Sequence, residues 1–544
     1  MDLITLRTNL VNIVDRRVSP KEISIKDGKI QAIQDTDEPC EGYALPGFVD
    51  AHVHIESSML VPSAFARLAV CHGTVATVSD PHEIGNVLGV RGVDFMIENG
   101  NTVPFKFFFG APSCVPATPF ETAGAEITAQ EVAELLERPE IKYLSEMMNY
   151  PGVLQEDETV MAKIRAAQTR HKPIDGHAPG LRGEEARRYH AAGISTDHEC
   201  FSYEEGREKA QLGMHILIRE GSAAKNFDAL IDLLAEFPDQ IMFCSDDKHP
   251  DDLIEGHINQ LVARAVARGF DTFDVLRAAC LNPVQHYGLE VGLLREGDPA
   301  DLILVDNLED FNVQATYIDG HCVALQGKSR IDHREVTPIN HFATSPKSPA
   351  DFALDAPKKK IRVIEALDGQ LITNSEVVPA KVIEGKAVSD TERDILKFTV
   401  VNRYQKASPA VAFIRNFGLR AGAIASCVGH DSHNILAVGT SDAAIARAVN
   451  LIIENEGGIS AVSAQEERVL PLPVAGIMSA EDGVVVGKKY EEIDRFAKTE
   501  LGSTLHAPYM TLSFMALLVI PACKLSDQGL FDGSTFTFTD VFVD

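Results

Sequence analysis

Leu45-Pro-Gly-Phe-Val-Asp-Ala-His-Val-His54 is the stretch on which the reading of this chain turns. Phe48–His54 is a short apolar run that ends in two histidines spaced two apart, and in a β-strand residues at that spacing point to one face. Asp50, His52 and His54 then share a side, and the two imidazoles can chelate one cation. A His-x-His pair is unspecific by itself. The runs that follow it give it weight.

Seven more short apolar runs come after Phe48–His54, each closing on ionisable residues and separated by stretches long enough for a helix: 75–78, 105–109, 141–146, 174–177, 194–197, 215–218 and 241–245. Eight strands alternating with helices predict a (β/α)8 barrel, whose chemistry sits at the C-terminal strand ends. Those ends read His52-Val-His54, Asp80-Pro-His-Glu83, Pro112-Ser-Cys114, Glu146-Met-Met-Asn149, Asp175-Gly-His177, Asp197-His-Glu199, Arg219-Glu-Gly-Ser222 and Ser245-Asp-Asp247. Any one of them is compatible with solvated turn chemistry. Eight in succession at the same end are not.

The rest of the composition fits a larger soluble enzyme. A chain of 544 residues holds two or three domains and buries a large core. Its formal charge of −29 argues against binding nucleic acid or anionic membranes. No apolar run approaches the roughly 20 residues that span a bilayer; the run near Phe514–Ala522 is short and broken by Pro521. The N-terminus lacks the basic and apolar regions of a secretion signal. Nine scattered cysteines without a C-x-x-C pair argue against a secreted disulfide framework. A cytoplasmic location and a homo-oligomer are the expectations.

Residues 1–45 alternate apolar and polar around turn signals, and the same texture returns at Glu296–Val305 and Tyr317–Val323. The predicted organisation is a composite small β domain from 1–45 and 295–345, the barrel inserted at 46–294, a Pro- and Lys-containing linker near 345–360, and a C-terminal α+β domain over 361–544. Helices are expected there at 441–454 and 488–501.

On these motifs the barrel resembles the amidohydrolase superfamily and, in finer detail, is similar to the bacterial-type adenine deaminases. Ala-His-Val-His-Ile-Glu-Ser-Ser-Met59, Asp80-Pro-His-Glu-Ile-Gly-Asn86, Ala111-Pro-Ser-Cys-Val-Pro-Ala117, Gly176-His-Ala-Pro-Gly180, Ser195-Thr-Asp-His-Glu199, His430-Asp-Ser-His-Asn434 and Leu470-Pro-Leu-Pro473 carry the likeness over nearly the whole chain. It implies hydrolysis of adenine to hypoxanthine and ammonia in purine salvage, by a hydroxide shared between two divalent metals. His52, His54 and Asp246 would hold one ion, His177 and His198 the other, and Glu146 would bridge them. Mn(II) or Fe(II) is favoured, with Zn(II) also suited to these ligands. Lys142, four residues before Glu146 on the same face of a regular strand but deeper in the barrel, is the lesser alternative as a carbamylated bridge.

The resemblance also implies a division of labour. Asp246 would take the proton of the attacking water and deliver it to the leaving nitrogen. Glu83, Glu56 or Glu146 would protonate a ring nitrogen, with Glu83 preferred. His82, Ser113 and Arg219 would contact the substrate. Each has a plainer reading: Asp80-Pro opens turns, Cys114 beside Ser113 suits packing, and Arg219–Ser222 suits a strand-to-helix junction with Ser222 as N-cap. Asp197 and Glu199 are expected to orient His198, and Asp50 to be a structural carboxylate at the barrel mouth. Asp247 and His249 become ligands only if the register differs. His430, Asp431 and His433 suit a loop or domain-interface role better than a second metal cluster. A cyclic-amide hydrolase of the dihydroorotase or hydantoinase kind is the enzyme alternative, and it would need a bridging lysine. A scaffold relative that has lost its metal ligands is the other.

Overall fold

Eight parallel strands carry the expected pattern in the computed structural model, which describes residues 3–544. They are β1 (Phe48–Val53), β2 (Thr74–Ser79), β3 (Lys106–Ala111), β4 (Ile141–Met147), β5 (Ile174–Gly176), β6 (Thr196–Asp197), β7 (His215–Arg219) and β8 (Ile241–Cys244). All six residues of β1 are buried, as are those of β2, because a parallel strand here is covered on one face by helices and on the other by the barrel interior.

The strands form two hydrogen-bonded arcs, β1 to β5 and β6 to β8. The Ser195 amide donates to the Ile174 carbonyl (2.9 Å) at one seam, and the Asp246 amide to the His52 carbonyl (2.9 Å) at the other. The second seam matters for function, since it locks the His-x-His strand directly to the strand that presents Asp246.

Before the barrel, strands Ile4–Asn12, Arg17–Lys26, Lys29–Asp35 and Tyr43–Pro46 join Leu302–Val305, Val313–Ile318, His321–Leu325 and Lys328–Ser329 in one eight-stranded sheet. The two chain pieces meet where Tyr43–Pro46 runs antiparallel to Leu302–Val305. Only Gly47 separates that strand from β1, and a Cβ there would fall 2.3 Å from Val75, so the chain enters the barrel where no larger side chain fits.

Beyond residue 345 a mixed sheet runs, in spatial order, Thr373–Pro379, Lys360–Ala366, Ala410–Arg415, Ile395–Val401, Ile435–Gly439, Ala423–Ser426, Ile459–Val462 and Glu467–Leu470. Helix Asp442–Glu454 is capped by Ser441, whose hydroxyl accepts from the Ala444 amide (3.2 Å). The later helix is Gly483–Thr499 and begins five residues before the expected 488. Asp482 caps it by accepting from the Val484 amide (3.0 Å), and this outweighs the low helix preference of Val484-Val-Val486. This part of the chain is stitched to the barrel beside the His-x-His strand, with the Ser479 amide donating to Met59 (2.8 Å) and the Val61 amide to Ser479 (3.1 Å). Among the described residues no helix is long and apolar enough to cross a membrane.

Candidate active site

Nine titratable residues that lie far apart in the chain converge at the C-terminal ends of the barrel strands. His52 and His54 come from β1, Glu146 from β4, and His177, His198 and Asp246 follow β5, β6 and β8. All six are buried. Asp80, His82 and Glu83 follow β2 and pack beside them.

The spacing suits shared cations. His52 Nε2 and His54 Nε2 stand 3.2 Å apart, and Asp246 Oδ1 lies 3.5 and 3.3 Å from them. Two ligands about 2.1 Å from one ion stand about 3.0–3.4 Å apart at ordinary coordination angles. Glu146 faces both sides: Oε1 is 3.4 Å from His54 Nε2, while Oε2 is 2.7 Å from His177 Nδ1 and 3.1 Å from His198 Nε2. His54 Nδ1 donates to the Asp80 carbonyl (3.2 Å), which leaves the Nε2 lone pair free to ligate. Burial disfavours ionising Glu146, but His177 and His198 outweigh it and hold the carboxyl well below its usual range. Burial likewise opposes charge on Asp246, and Arg219, with His52 and His54, holds it well below the carboxylate range. His52 is pushed down by burial and by His198, which favours the neutral, ligating form.

Behind these six residues lies a supporting layer. Asp50 is not at the mouth; it sits one step deeper, accepting from the Ser245 amide (3.0 Å), the Ser245 hydroxyl (2.5 Å) and His257 Nε2 (2.8 Å), whose Nδ1 accepts from Thr74 (2.7 Å). That network pins β8 to β1. Lys209, which the sequence reading passed over, is fully buried and donates to Asp197 (2.8 Å), Glu205 (2.7 Å) and the Ala178 carbonyl (2.7 Å). It thereby fixes the chain neighbours of His198 and His177. A lysine on the periodic face of a helix gave no signal of this.

The cavity above the cluster is small, about 20 Å3, and is lined by His54, His82, Glu83, Glu199, Asp247 and His430 among others. Ser113 and Arg219 do not line it. The Ser113 hydroxyl donates to the Glu146 carbonyl (2.6 Å), and Arg219 is spent on Asp246 (2.6 Å) and Glu199 (2.9 Å). Ser222 is no N-cap either: its hydroxyl accepts from the His249 amide (2.8 Å) and donates to Asp252. His249 packs edge-on against Tyr490, away from the ligands. Asp247 accepts from Ser57 (2.5 Å) and faces His430 (3.5 Å). Lys142 pairs with Glu290 (2.8 Å) and so is not available as a carbamylated bridge in this arrangement.

The cavity roof comes from far down the chain. Leu371, His430, Asp431, Phe514 and Leu517 close it. His430 stacks on Phe514 at 5.1 Å, contacts Glu83 through Nδ1, and His433 Nε2 approaches the other Glu83 oxygen at 2.5 Å.

Comparison with known proteins agrees with this geometry. Residues 43–323 match the amidohydrolase family, and residues 370–537 match the adenine deaminase C-terminal domain. Adenine deaminase of Salinibacter ruber is 59% identical over 536 residues, covering 98% of both chains. That of Sulfurovum sp. is 58% identical, covering 98% of this chain and 99% of its own, and that of Methanosarcina mazei is 52% identical with the same coverage. The chain belongs to the adenine deaminase family. A solved β-aspartyl dipeptidase from Fervidobacterium islandicum AW-1 is also similar, at 17% identity and a TM-score of 0.46 over 60% of this chain and 99% of its own.

The adenine deaminase C-terminal domain thus spans all five roof residues, from Leu371 to Leu517. Lys524 of the same domain is fully buried and donates to the carbonyls of Leu371 (2.6 Å) and Phe514 (2.9 Å). Two walls of the cavity are tied together by one ammonium group.

Proposed function

We propose that the buried cluster around Glu146 deaminates adenine hydrolytically, giving hypoxanthine and ammonia. Near-full-length similarity to adenine deaminases, on a chain that retains four histidines and two carboxylates at the strand ends, carries this reading. In it, His52, His54 and Asp246 would hold one divalent ion, His177 and His198 a second, and Glu146 would be shared by both. Mn(II) or Fe(II) suits this donor set best, and Zn(II) is compatible with it. Such cations supply Lewis acidity that lowers the pKa of water from 15.7 towards about 7.

Asp246 is placed for proton transfer at the attacking water. Arg219 holds its Oδ2 (2.6 Å) and keeps the carboxylate ionised, while Oδ1 faces the ligand imidazoles. It accepts a water proton as the oxygen adds to C6 and passes it to the exocyclic nitrogen, and the C6–N bond then breaks to release ammonia.

Of the carboxylates considered for the ring nitrogen, Glu56 is occupied by the Ile84 amide (3.1 Å) and Glu146 by three imidazoles. Glu83 lines the cavity, which Glu56 does not, and the imidazoles of His430 and His433 that contact it are not among the residues proposed to hold metal. Burial opposes its ionisation, but His430 and His433 hold it well below the usual carboxylate range. Burial opposes charge on His430 too; Asp247 and Glu83 lift it to about 9. The proton for the ring nitrogen is therefore shared by the Glu83–His430 pair, and the second proton of water restores it. His82 lies 3.3 Å from Asp431 and contacts the substrate from the same wall. The chain works in this reading as three units, a barrel, the composite sheet that flanks it and a C-terminal domain that roofs the site.

Purified protein loaded with Mn(II), assayed for adenine turnover with adenosine and dihydroorotate in parallel, tests the reading. Adenine turnover that Glu146→Gln abolishes supports it. Two bound metals without adenine turnover would sink the substrate assignment.

A further inference from the structure

We propose that His433, a residue of the C-terminal domain, is a positioning residue for Glu83; this rests on the ring-proton role given to Glu83 above. His433 does not line the cavity, so its contact with Glu83 is its route to the chemistry. Both side chains are 1% exposed.

The tautomer is set by the loop. The Gly429 amide donates to His433 Nδ1 (3.3 Å), which requires a lone pair there and places the ring proton on Nε2. Nε2 lies 2.5 Å from Glu83 Oε2. This is an ion-pair contact: neither atom takes part in a hydrogen bond of good geometry, and among the described residues no hydrogen-bond donor reaches that oxygen. His430 holds the other oxygen, and His430 borders the cavity. The carboxylate is thus gripped from two sides, by one imidazole that meets the substrate space and one that does not.

The post to which Glu83 is tied is fixed without it. The His433 amide donates to Gly429 (2.8 Å), the Tyr404 hydroxyl to the Ser432 carbonyl (2.6 Å) and the Asn434 side chain to Thr122 (2.9 Å). Fully buried Arg403 donates to the His433 (3.4 Å) and Ala475 (2.7 Å) carbonyls. Glu83 lies buried in the first turn of the short helix His82–Leu88, and its carboxylate stands at the end of three rotatable side-chain bonds. A fixed imidazole against Oε2 restricts that side chain and keeps Oε1, with the proton it shares with His430, toward the cavity.

Two substitutions separate this role from a merely structural one. His433 has φ of 53°, in the left-handed region that Asn tolerates better than Gln. Asn also keeps an acceptor where Nδ1 stands, so His433→Asn preserves the loop and loses the reach to Glu83. His433→Gln places an amide N–H where Nε2 stands and keeps the reach at the expense of the loop. The Mn(II)-loaded full chain is assayed for kcat and KM, with metal content and melting temperature measured in each variant and Glu83→Gln alongside.

The expected result is a kcat at least about tenfold lower in His433→Asn, with KM within about twofold, two metals per chain, and a kcat within about threefold of the parent in His433→Gln. Asn performing as well as Gln overturns the inference, as does an Asn variant that fails to fold, since it retains the loop's hydrogen bonds. Full activity in both variants with an inactive Glu83→Gln overturns the inference and leaves Glu83 its role. An active Glu83→Gln overturns both.

Discussion

On the two-cation reading proposed above, replacing Lys209 with Met should weaken one of the two sites. The ammonium is fully buried and makes three bonds, to Asp197 Oδ2 (2.8 Å), Glu205 Oε1 (2.7 Å) and the Ala178 carbonyl (2.7 Å). Methionine fills the space but leaves two carboxylates, each 0–1% exposed, without their cation. Breaking a buried pair in this way costs about 3–5 kcal/mol. Part of that is recovered when Asp197 takes up a proton, because burial alone favours its neutral form and Lys209 is what holds its carboxyl below the usual range. The damage is local to one half of the cluster. Asp197 precedes His198 and Ala178 follows His177, whereas Asp50, His257 and Arg219 support His52, His54 and Asp246 independently of Lys209. Loss of a supporting contact lowers metal affinity by about 10- to 100-fold, or about 1.4–2.8 kcal/mol. Equilibrium dialysis against graded Mn(II) should therefore show one site of parental affinity and one weakened by that factor, with activity restored at high Mn(II). Urea unfolding of the metal-free proteins should show the variant less stable. Two sites of unchanged affinity, or simultaneous loss of both, would refute the reasoning.

Other outcomes follow from the same contacts. Glu146→Gln exchanges a doubly accepting carboxylate for an amide whose NH2 confronts His177 and His198; metal content should fall below two and turnover by more than about 100-fold, read by metal analysis and adenine assay. Removing metal with a chelator should lower the melting temperature, since a ligand at 100 times its Kd stabilises by about 2.7 kcal/mol, and Mn(II) should restore it; an unchanged melt would contradict a cation-holding cluster. Burial lowers the Lys524 pKa to about 7. A lysine depressed in the folded state burdens folding below that pKa, and the burden lifts as pH rises from about 7 towards the unfolded value of about 10.4. Against Lys524→Met, the parent should gain stability over that window in urea titrations; parallel pH dependences would show that the ammonium is not buried as described.

The barrel was legible because its signal is local and repeated. Apolar runs of strand length, each closing on ionisable residues, predict every barrel strand to within two residues of its observed limits. The composite sheet shows similarly in alternating residues on both sides of the barrel. The start of helix Gly483–Thr499 was missed because a β-branched run outweighs a single capping aspartate when residues are read one at a time. Ser113 and Arg219 were expected against substrate for their positions at strand ends, and residue type does not say whether a hydroxyl or guanidinium is already occupied by a neighbouring strand.

The sequence by itself determined which residues can ligate and which strand ends present them, because donor chemistry and two-residue spacing are properties of the local chain. Tertiary structure decided the rest. Lys209, His257 and Arg403 act through contacts with residues remote in the chain, and periodicity carries no record of those. The meeting of Glu83 with His433, 350 positions apart, depends on how the C-terminal part of the chain packs over the barrel mouth. A carboxylate's partners, and with them its charge, are set by that packing.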